Sequence, residues 1–244
     1  MTTPLHSFYR ILFAVCLLVM LTLALPGRWS HLAAPGFLVL AVTMLIGLGP
    51  PARAAGATSP TRHGYRALGL LTIAAGLVWS LTPLQHRDSG IPLILLWALF
   101  SAWSSLRLVS RLAAERRVSQ PVITGAFAGY LMLGLTSGLL CIALETIQPG
   151  SFRDSSEVGA ASGVSVLGQP STSAQGLPVW TLSFVRLIYF AFVSLTTVGY
   201  GDVVPASPTA QMLGIGIATL GTLYVAVVMG LLISRLIAAE AQHR

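Results

Sequence analysis

The sequence predicts an all-α membrane protein: six transmembrane helices, with one further helix that enters the membrane without crossing it. Two observations carry this. Hydrophobic residues make up 55% of the 244-residue chain and charged residues only 9%, at a mean hydropathy of +0.80. An average soluble domain carries roughly 25% charged residues, and so few polar side chains cannot cover a soluble globule. The apolar residues also fall in charge-free runs near the ~20 residues a helix needs to cross a bilayer core. The same composition excludes a disordered chain, a collagen, a coiled coil and a secreted disulfide scaffold.

The elements follow in order. The first run, 8–25, stops at Pro26-Gly27. It is as short as a secretory leader, but it lacks a convincing small-residue cleavage site and is followed by five more runs, so it reads as an anchor. The second, 32–48, is closed by Gly49-Pro50-Pro51. The third is 67–84, the fourth 91–109 and the fifth 122–147, which stops at Pro149-Gly150. The last is 210–239. Between the fifth and the last, 148–178 is rich in Gly, Ser and Pro and reads as a flexible, solvent-exposed loop. Residues 179–195 are apolar, but with Pro178 and Arg186 counted they reach only about half a membrane. That length implies a re-entrant segment, tolerated at membrane depth when buried in protein or lining water.

The charges set the orientation. All 14 basic residues are arginines. With six crossings, Arg10, Arg53, Arg62, Arg66, Arg107, Arg111, Arg116, Arg117, Arg235 and Arg244 share one side, and Arg28, Arg87, Arg153 and Arg186 the other. The positive-inside rule then puts both termini in the cytoplasm of a multi-pass plasma-membrane protein. The acids Asp88, Glu145, Asp154, Glu157 and Asp202 fall outside, where they would attract cations. Asn and Lys are absent, which leaves no N-glycosylation acceptor; with the abundant Ala, Gly, Leu and Arg this suggests a GC-rich genome and a bacterial inner membrane. Arginines set between apolar runs face a lipid bilayer rather than a nucleic acid. Cys16 and Cys141 lie inside apolar runs and read as small buried hydrophobes. The spans hold no His pair, paired carboxylates or G-x-S-x-G, so neither enzymatic activity nor an organic cofactor is expected.

The re-entrant segment ends in Thr196-Thr197-Val198-Gly199-Tyr200-Gly201-Asp202. A dehydrated K⁺ needs a shell of oxygens in place of its water. Ordinary extended residues alternate their carbonyls from side to side, whereas glycine accepts φ > 0 without a Cβ clash. Gly199 and Gly201 at alternate positions thus allow the carbonyls of Thr197, Val198, Gly199 and Tyr200 to face one axis, with the Thr197 hydroxyl adding an oxygen ring at the inner end. Val198 and Tyr200 then point away and pack behind the ring.

This string, and the longer stretch 188–202, resembles the pore helix and selectivity filter of the potassium channel superfamily. The resemblance covers 122–239, nearly half of the chain. It implies K⁺ as the bound and transported ion, and Thr196, Gly201, Asp202, Tyr189 and Phe190 as supports of the filter. Many members carry a Trp pair where Tyr189 and Phe190 stand. In voltage-gated relatives the first of that pair bonds the acid after the filter, which implies a Tyr189–Asp202 bond or, alternatively, plain packing. Some bacterial relatives hold a Glu behind the filter where this chain has Val193, so slow inactivation is not predicted. Nonselective relatives replace the filter Tyr by an acid; Tyr200 argues against that class.

A carbonyl ring needs four such loops, and the chain has one, so a homotetrameric pore is expected. The pore helices would aim the negative ends of their dipoles at the central cavity. In the last helix, Gly221 stands at the family's hinge offset, with close helix packing as the alternative. Val225, Met229 and Ile233 share a face at i, i+4. They would form an apolar gate if that face looks inward, or a lipid or helix contact if it does not.

The expected division is 1–120, a four-helix domain in the voltage-sensor position, and 121–244, a pore domain. The fourth run has no basic residue before Arg107, and the arginines at its end are explained by snorkelling and topology. No acid precedes Asp88 to serve as a countercharge. Steep voltage gating moves several charges through the field, so weak or no voltage dependence is expected. After Ile237 only Ala238 to Arg244 remain, too few for a ligand-binding module, and the opening stimulus stays open. His6, His31, His63, His86 and His243 are pH-sensing positions in principle, although scattered loop histidines are ordinary surface residues. Glu145 either braces the filter's outer loop or is a solvated interfacial acid. The function expected is passive, K⁺-selective conduction. The alternatives are a non-conducting or regulatory subunit and, less well matched for want of a second broken helix, a transporter.

Overall fold

The computed structural model describes residues 4–25, 33–49, 60–81, 91–115, 120–154 and 183–241. Their helices are α1 (Pro4–Leu23), α2 (Ala33–Leu48), α3 (Pro60–Leu81), α4 (Ile91–Ala114), α5 (Gln120–Ile147), α6 (Ser183–Leu195), α7 (Pro208–Leu223) and α8 (Gly230–Ala241). A π-helical stretch, Tyr224–Met229, joins α7 to α8. Two short strands, β1 (Phe152–Asp154) and β2 (Val203–Pro205), complete the list of elements. The all-α expectation therefore gains a small antiparallel ribbon, with Phe152 opposite Pro205 and Asp154 opposite Val203.

Proline marks the first turn of most helices: Pro4, Pro35, Pro60, Pro92, Pro121 and Pro208. Its missing N–H costs nothing there, because the first amides of a helix have no internal partner. Hence α3 begins at Pro60 rather than at 67. Arg62, His63 and Arg66 interrupt the apolar run but not the helix. The helix α4 likewise runs past 109 to Ala114, carrying Arg111 in its last turn. Among the described residues, three helices are long and apolar enough to cross a membrane: Pro92–Ala113, Gln120–Ile147 and Pro208–Arg235. Ser7–Leu23, Pro35–Leu48 and Phe184–Leu195 are shorter apolar helices. The length of Phe184–Leu195, at 1.5 Å per residue, falls well short of a bilayer core.

Most of the loop 148–178 lies outside the described residues, as do Arg28, Arg53, Arg87, Asp88, Arg116, Arg117, Glu157, Arg244, His31, His86 and His243. His63 is exposed. Of the loop, Phe152–Asp154 pairs with Val203–Pro205.

The residues group by contact into two units: Met1–Leu77 with Leu99–Leu133 and Leu223–Arg244, and Val78–Ala98 with Gly134–Thr222. In the first, α1 buries Tyr9, Leu12, Cys16 and Val19 along one stripe, and α2 buries Phe37, Leu40, Met44 and Leu48. Gly47 lets the Phe8 ring rest on the α2 backbone, where a Cβ would stand 1.7 Å from it. The Tyr65 hydroxyl is 3.1 Å from the Met44 carbonyl, to which it donates, and 3.0 Å from Ser104 Oγ. Arg111 donates to the carbonyls of Gly47, Leu48 and Gly49 at 2.7, 2.9 and 3.1 Å, capping the end of α2. Those carbonyls have no partner within their helix, and a cation suits the negative end of its dipole. Snorkelling is thus not the whole use of this arginine. Arg235 makes a similar contact, donating to the carbonyls of Ala113 and Glu115 at the end of α4.

In the second unit, α5 lies against α6 through two glycines. A Cβ on Gly134 would stand 2.3 Å from the Phe192 ring, and one on Gly138 would stand 2.9 Å from the Ile188 backbone. Small residues allow this approach, as they do between membrane helices generally.

Candidate functional site

The site begins where α6 ends. Its last turn closes on itself: the Thr196 amide and hydroxyl both donate to the Phe192 carbonyl, at 2.9 and 2.7 Å. The Thr197 amide donates to the Ser194 carbonyl at 3.0 Å. The chain then leaves the helix but stays tied to it. The amides of Val198 and Gly199 both donate to the Val193 carbonyl, at 3.0 and 3.4 Å.

Thr197, Gly199 and Gly201 have φ of 60°, 59° and 76°, and among the described residues Thr197 is the one non-glycine in the left-handed region. Val198 and Tyr200 between them keep negative φ. This alternation undoes the usual side-to-side swing of carbonyls in an extended chain. Two amides of the string are thus turned back to Val193. Sequence reasoning placed this freedom at the two glycines alone. A β-branched residue at positive φ is a genuine outlier, costing about 1–3 kcal/mol and persisting only where its surroundings enforce it. At Thr197 the enforcing contact is its own amide's bond to Ser194.

The side chains of the string are uncovered. Val198 is 51% and Tyr200 71% exposed, so within one chain neither packs behind the carbonyls. Tyr200 meets Tyr189, with ring centroids 6.5 Å apart and planes 3° from parallel. The Asp202 carboxylate accepts a bond from the Tyr189 hydroxyl. Tyr189, Tyr200 and Asp202 therefore form one cluster beside the string. Phe190 faces elsewhere: it is buried against Phe152 of β1, at a centroid separation of 5.1 Å, and near Gly214 of α7.

Glu145 holds the turn after α5. Its Oε1 accepts from the Gly150 amide at 2.7 Å and its Oε2 from the Phe152 amide at 3.0 Å. This acid touches β1, and β1 pairs with β2, which starts two residues after Gly201. The Ser151 carbonyl accepts from the amides of Ala206 and Ser207 at 2.7 and 3.3 Å, and Thr209 Oγ1 donates to Gln148 Oε1 at 2.9 Å. The sequence gives little sign of this clasp, whose strands are three residues each.

Further along, Gly221 is buried against the end of α6. A Cβ there would stand 1.9 Å from the Leu195 carbonyl oxygen, so this position demands a glycine for packing. Departure from α geometry comes three residues later, in Tyr224–Met229. A π-helix bonds i to i+5, and such stretches are frequent at functional sites. The Tyr224 hydroxyl donates to the Ala126 carbonyl at 2.7 Å, above Gly129, where a Cβ would strike it. Val225 and Ile233 are exposed and Met229 is half-buried. The π stretch widens the turn, so Val225 and Met229 do not keep the alignment that i, i+4 spacing gives an α-helix.

Residues 164–238 match a family described as "Ion channel". No curated protein and no solved structure matches the chain. The matched stretch is under a third of the chain and contains α6, the filter-like string, α7 and most of α8, and it supports an ion channel in the membrane rather than an enzyme.

Proposed function

We propose that the chain is a potassium-selective channel, assembled as a homotetramer and conducting K⁺ passively through the carbonyls of Thr197, Val198, Gly199 and Tyr200. The observation that carries this is the alternation of φ at Thr197, Gly199 and Gly201 with two amides drawn back to Val193, a backbone that lets a row of carbonyl oxygens face one axis. Such a row can replace the hydration shell of a monovalent cation when four copies surround it. Thr196, Gly201, Asp202, Tyr189 and Phe190 support the loop, and the end of α6 turns the negative end of its dipole toward the ion. Assembly is supported by the last span: 28% of an apolar 18-residue stretch of Pro208–Arg235 is buried within the chain, against 67% of such a stretch of Gln120–Ile147. Its exposed face includes Met212, Ile215, Leu220, Val225 and Ile233, room for neighbouring copies and a lined cavity. The proposed topology keeps six crossings, both termini cytoplasmic, in a plasma membrane, and the gate is proposed at Met229 and Ile233, with Val225 turned out of their line by the π stretch.

The test is ion flux from liposomes holding the purified chain, with K⁺ inside and then Na⁺ in its place. Flux of K⁺ that is lost in Na⁺, and lost again in Gly199→Ala, is the expected result. Equal flux of both ions refutes selectivity, and absence of flux even in Met229→Ala/Ile233→Ala refutes conduction.

A further inference from the structure

Near the end of α4, Trp103, Leu106, Arg107, Ser110 and Arg111 line an open groove of about 460 Å³. We propose that it seats the phosphate of an anionic phospholipid headgroup. Two guanidinium groups four residues apart share one helix face, an arrangement that like charges disfavour. The charged and ionisable groups acting on Arg111 are Arg107, Tyr9 and Tyr65, with no carboxylate among them. Arg111 is held in place by three carbonyls of α2, which orient its charge without neutralising it. Arg107 lies over the Tyr65 ring at 4.3 Å, and its buried Nη1 has no hydrogen-bond partner. A buried donor without an acceptor is rare in folded proteins. A phosphate oxygen is the acceptor best suited to guanidinium, and it would also offset the repulsion.

The groove's other walls favour a lipid over free phosphate. Leu106 is 68% exposed beside the arginines, and Trp103 is an aromatic of the kind that settles at a membrane interface. A soluble anion has no use for an exposed leucine, whereas a phospholipid brings an acyl chain beside its phosphate. Ser110 Oγ donates to the Leu106 carbonyl and so offers the ligand no proton. Basic pockets at the cytoplasmic end of membrane helices suit such headgroups. The inference rests on the proposed membrane topology and holds whatever ion the filter selects.

The experiment titrates the full-length purified chain in detergent with phosphatidylglycerol or phosphatidylcholine and counts bound lipid by native mass spectrometry. Phosphatidylglycerol is expected to bind more tightly. Arg107→Gln should cut that preference about fivefold, the effect of one arginine near an anionic surface. Arg107→Lys and the exposed Arg10→Gln, outside the groove's lining, should keep it. Ser110→Asp, at an exposed position that leaves the buried contacts alone, should abolish it and serves if Arg107→Gln does not fold. Equal binding of the two lipids, a preference that survives both Arg107→Gln and Ser110→Asp, or an equal loss in Arg10→Gln overturns the proposal. Displacement of phosphatidylglycerol by millimolar inorganic phosphate assigns the groove to a soluble anion and overturns the lipid assignment.

Discussion

Replacing Gly221 by alanine probes the contact between the last helix and the base of the filter-like string. A Cβ at this position would lie 1.9 Å from the Leu195 carbonyl oxygen, 2.8 Å from its carbon and 3.1 Å from its Cα. All three atoms are backbone, so no rotamer change relieves the clash. Ordinary contact begins at 3.4 Å, which requires the end of α6 or the α7 backbone to retreat by about 1.5 Å. Overpacking of this kind costs about 1–3 kcal/mol. Leu195 precedes Thr197 by two residues, so the retreat would pass directly into the string. Thermal unfolding of the solubilised protein reads the stability, and liposome flux of K⁺ against Na⁺ reads the filter. Gly216→Ala is the control, because nothing lies within 4 Å of the added Cβ. The expected result is a destabilised Gly221→Ala with weakened K⁺ preference and an unchanged Gly216→Ala. A Gly221→Ala chain as stable and as selective as the control would refute the packing argument and return Gly221 to the role of a hinge.

Three further predictions concern separate parts of the chain. Tyr224→Phe removes the buried bond to the Ala126 carbonyl and should lower stability by about 0.5–1.5 kcal/mol, read by chemical denaturation. Glu145→Gln leaves one oxygen for two backbone donors, so either the Gly150 or the Phe152 amide loses its acceptor. The cost should be about 1–3 kcal/mol, with faster amide exchange in Phe152–Asp154, and unchanged exchange there would contradict the clasp. The current–voltage relation in symmetric K⁺ should be close to linear, because the fourth helix brings no basic residue to membrane depth before Arg107; steep rectification would contradict this.

Much of the fold was legible because it rests on local pattern. Long charge-free runs mark membrane helices whatever their neighbours, and the string 196–202 carries its own backbone chemistry in the spacing of two glycines. What stayed hidden depends on partners distant in sequence. The π stretch contains neither glycine nor proline, and Tyr224 finds its acceptor 98 residues away. Arg111 caps carbonyls 62 to 64 residues back, where the sequence showed only a basic residue at a helix end. The ribbon escaped notice because three-residue strands carry no periodicity to read. Thr197 was expected to supply a hydroxyl. Its left-handed backbone follows from the way the last turn of α6 unwinds, which composition does not encode.

The account's central claim is that the row of carbonyls from Thr197 to Tyr200 selects K⁺. The most direct measurement is the reversal potential of the purified chain in a planar bilayer, first under a tenfold K⁺ gradient and then with Na⁺ replacing K⁺ on the dilute side. The account predicts a reversal near the K⁺ equilibrium value, about 59 mV in magnitude for the tenfold gradient, and a further displacement in the same sense when Na⁺ is substituted. A reversal potential that does not move when Na⁺ replaces K⁺ would contradict it.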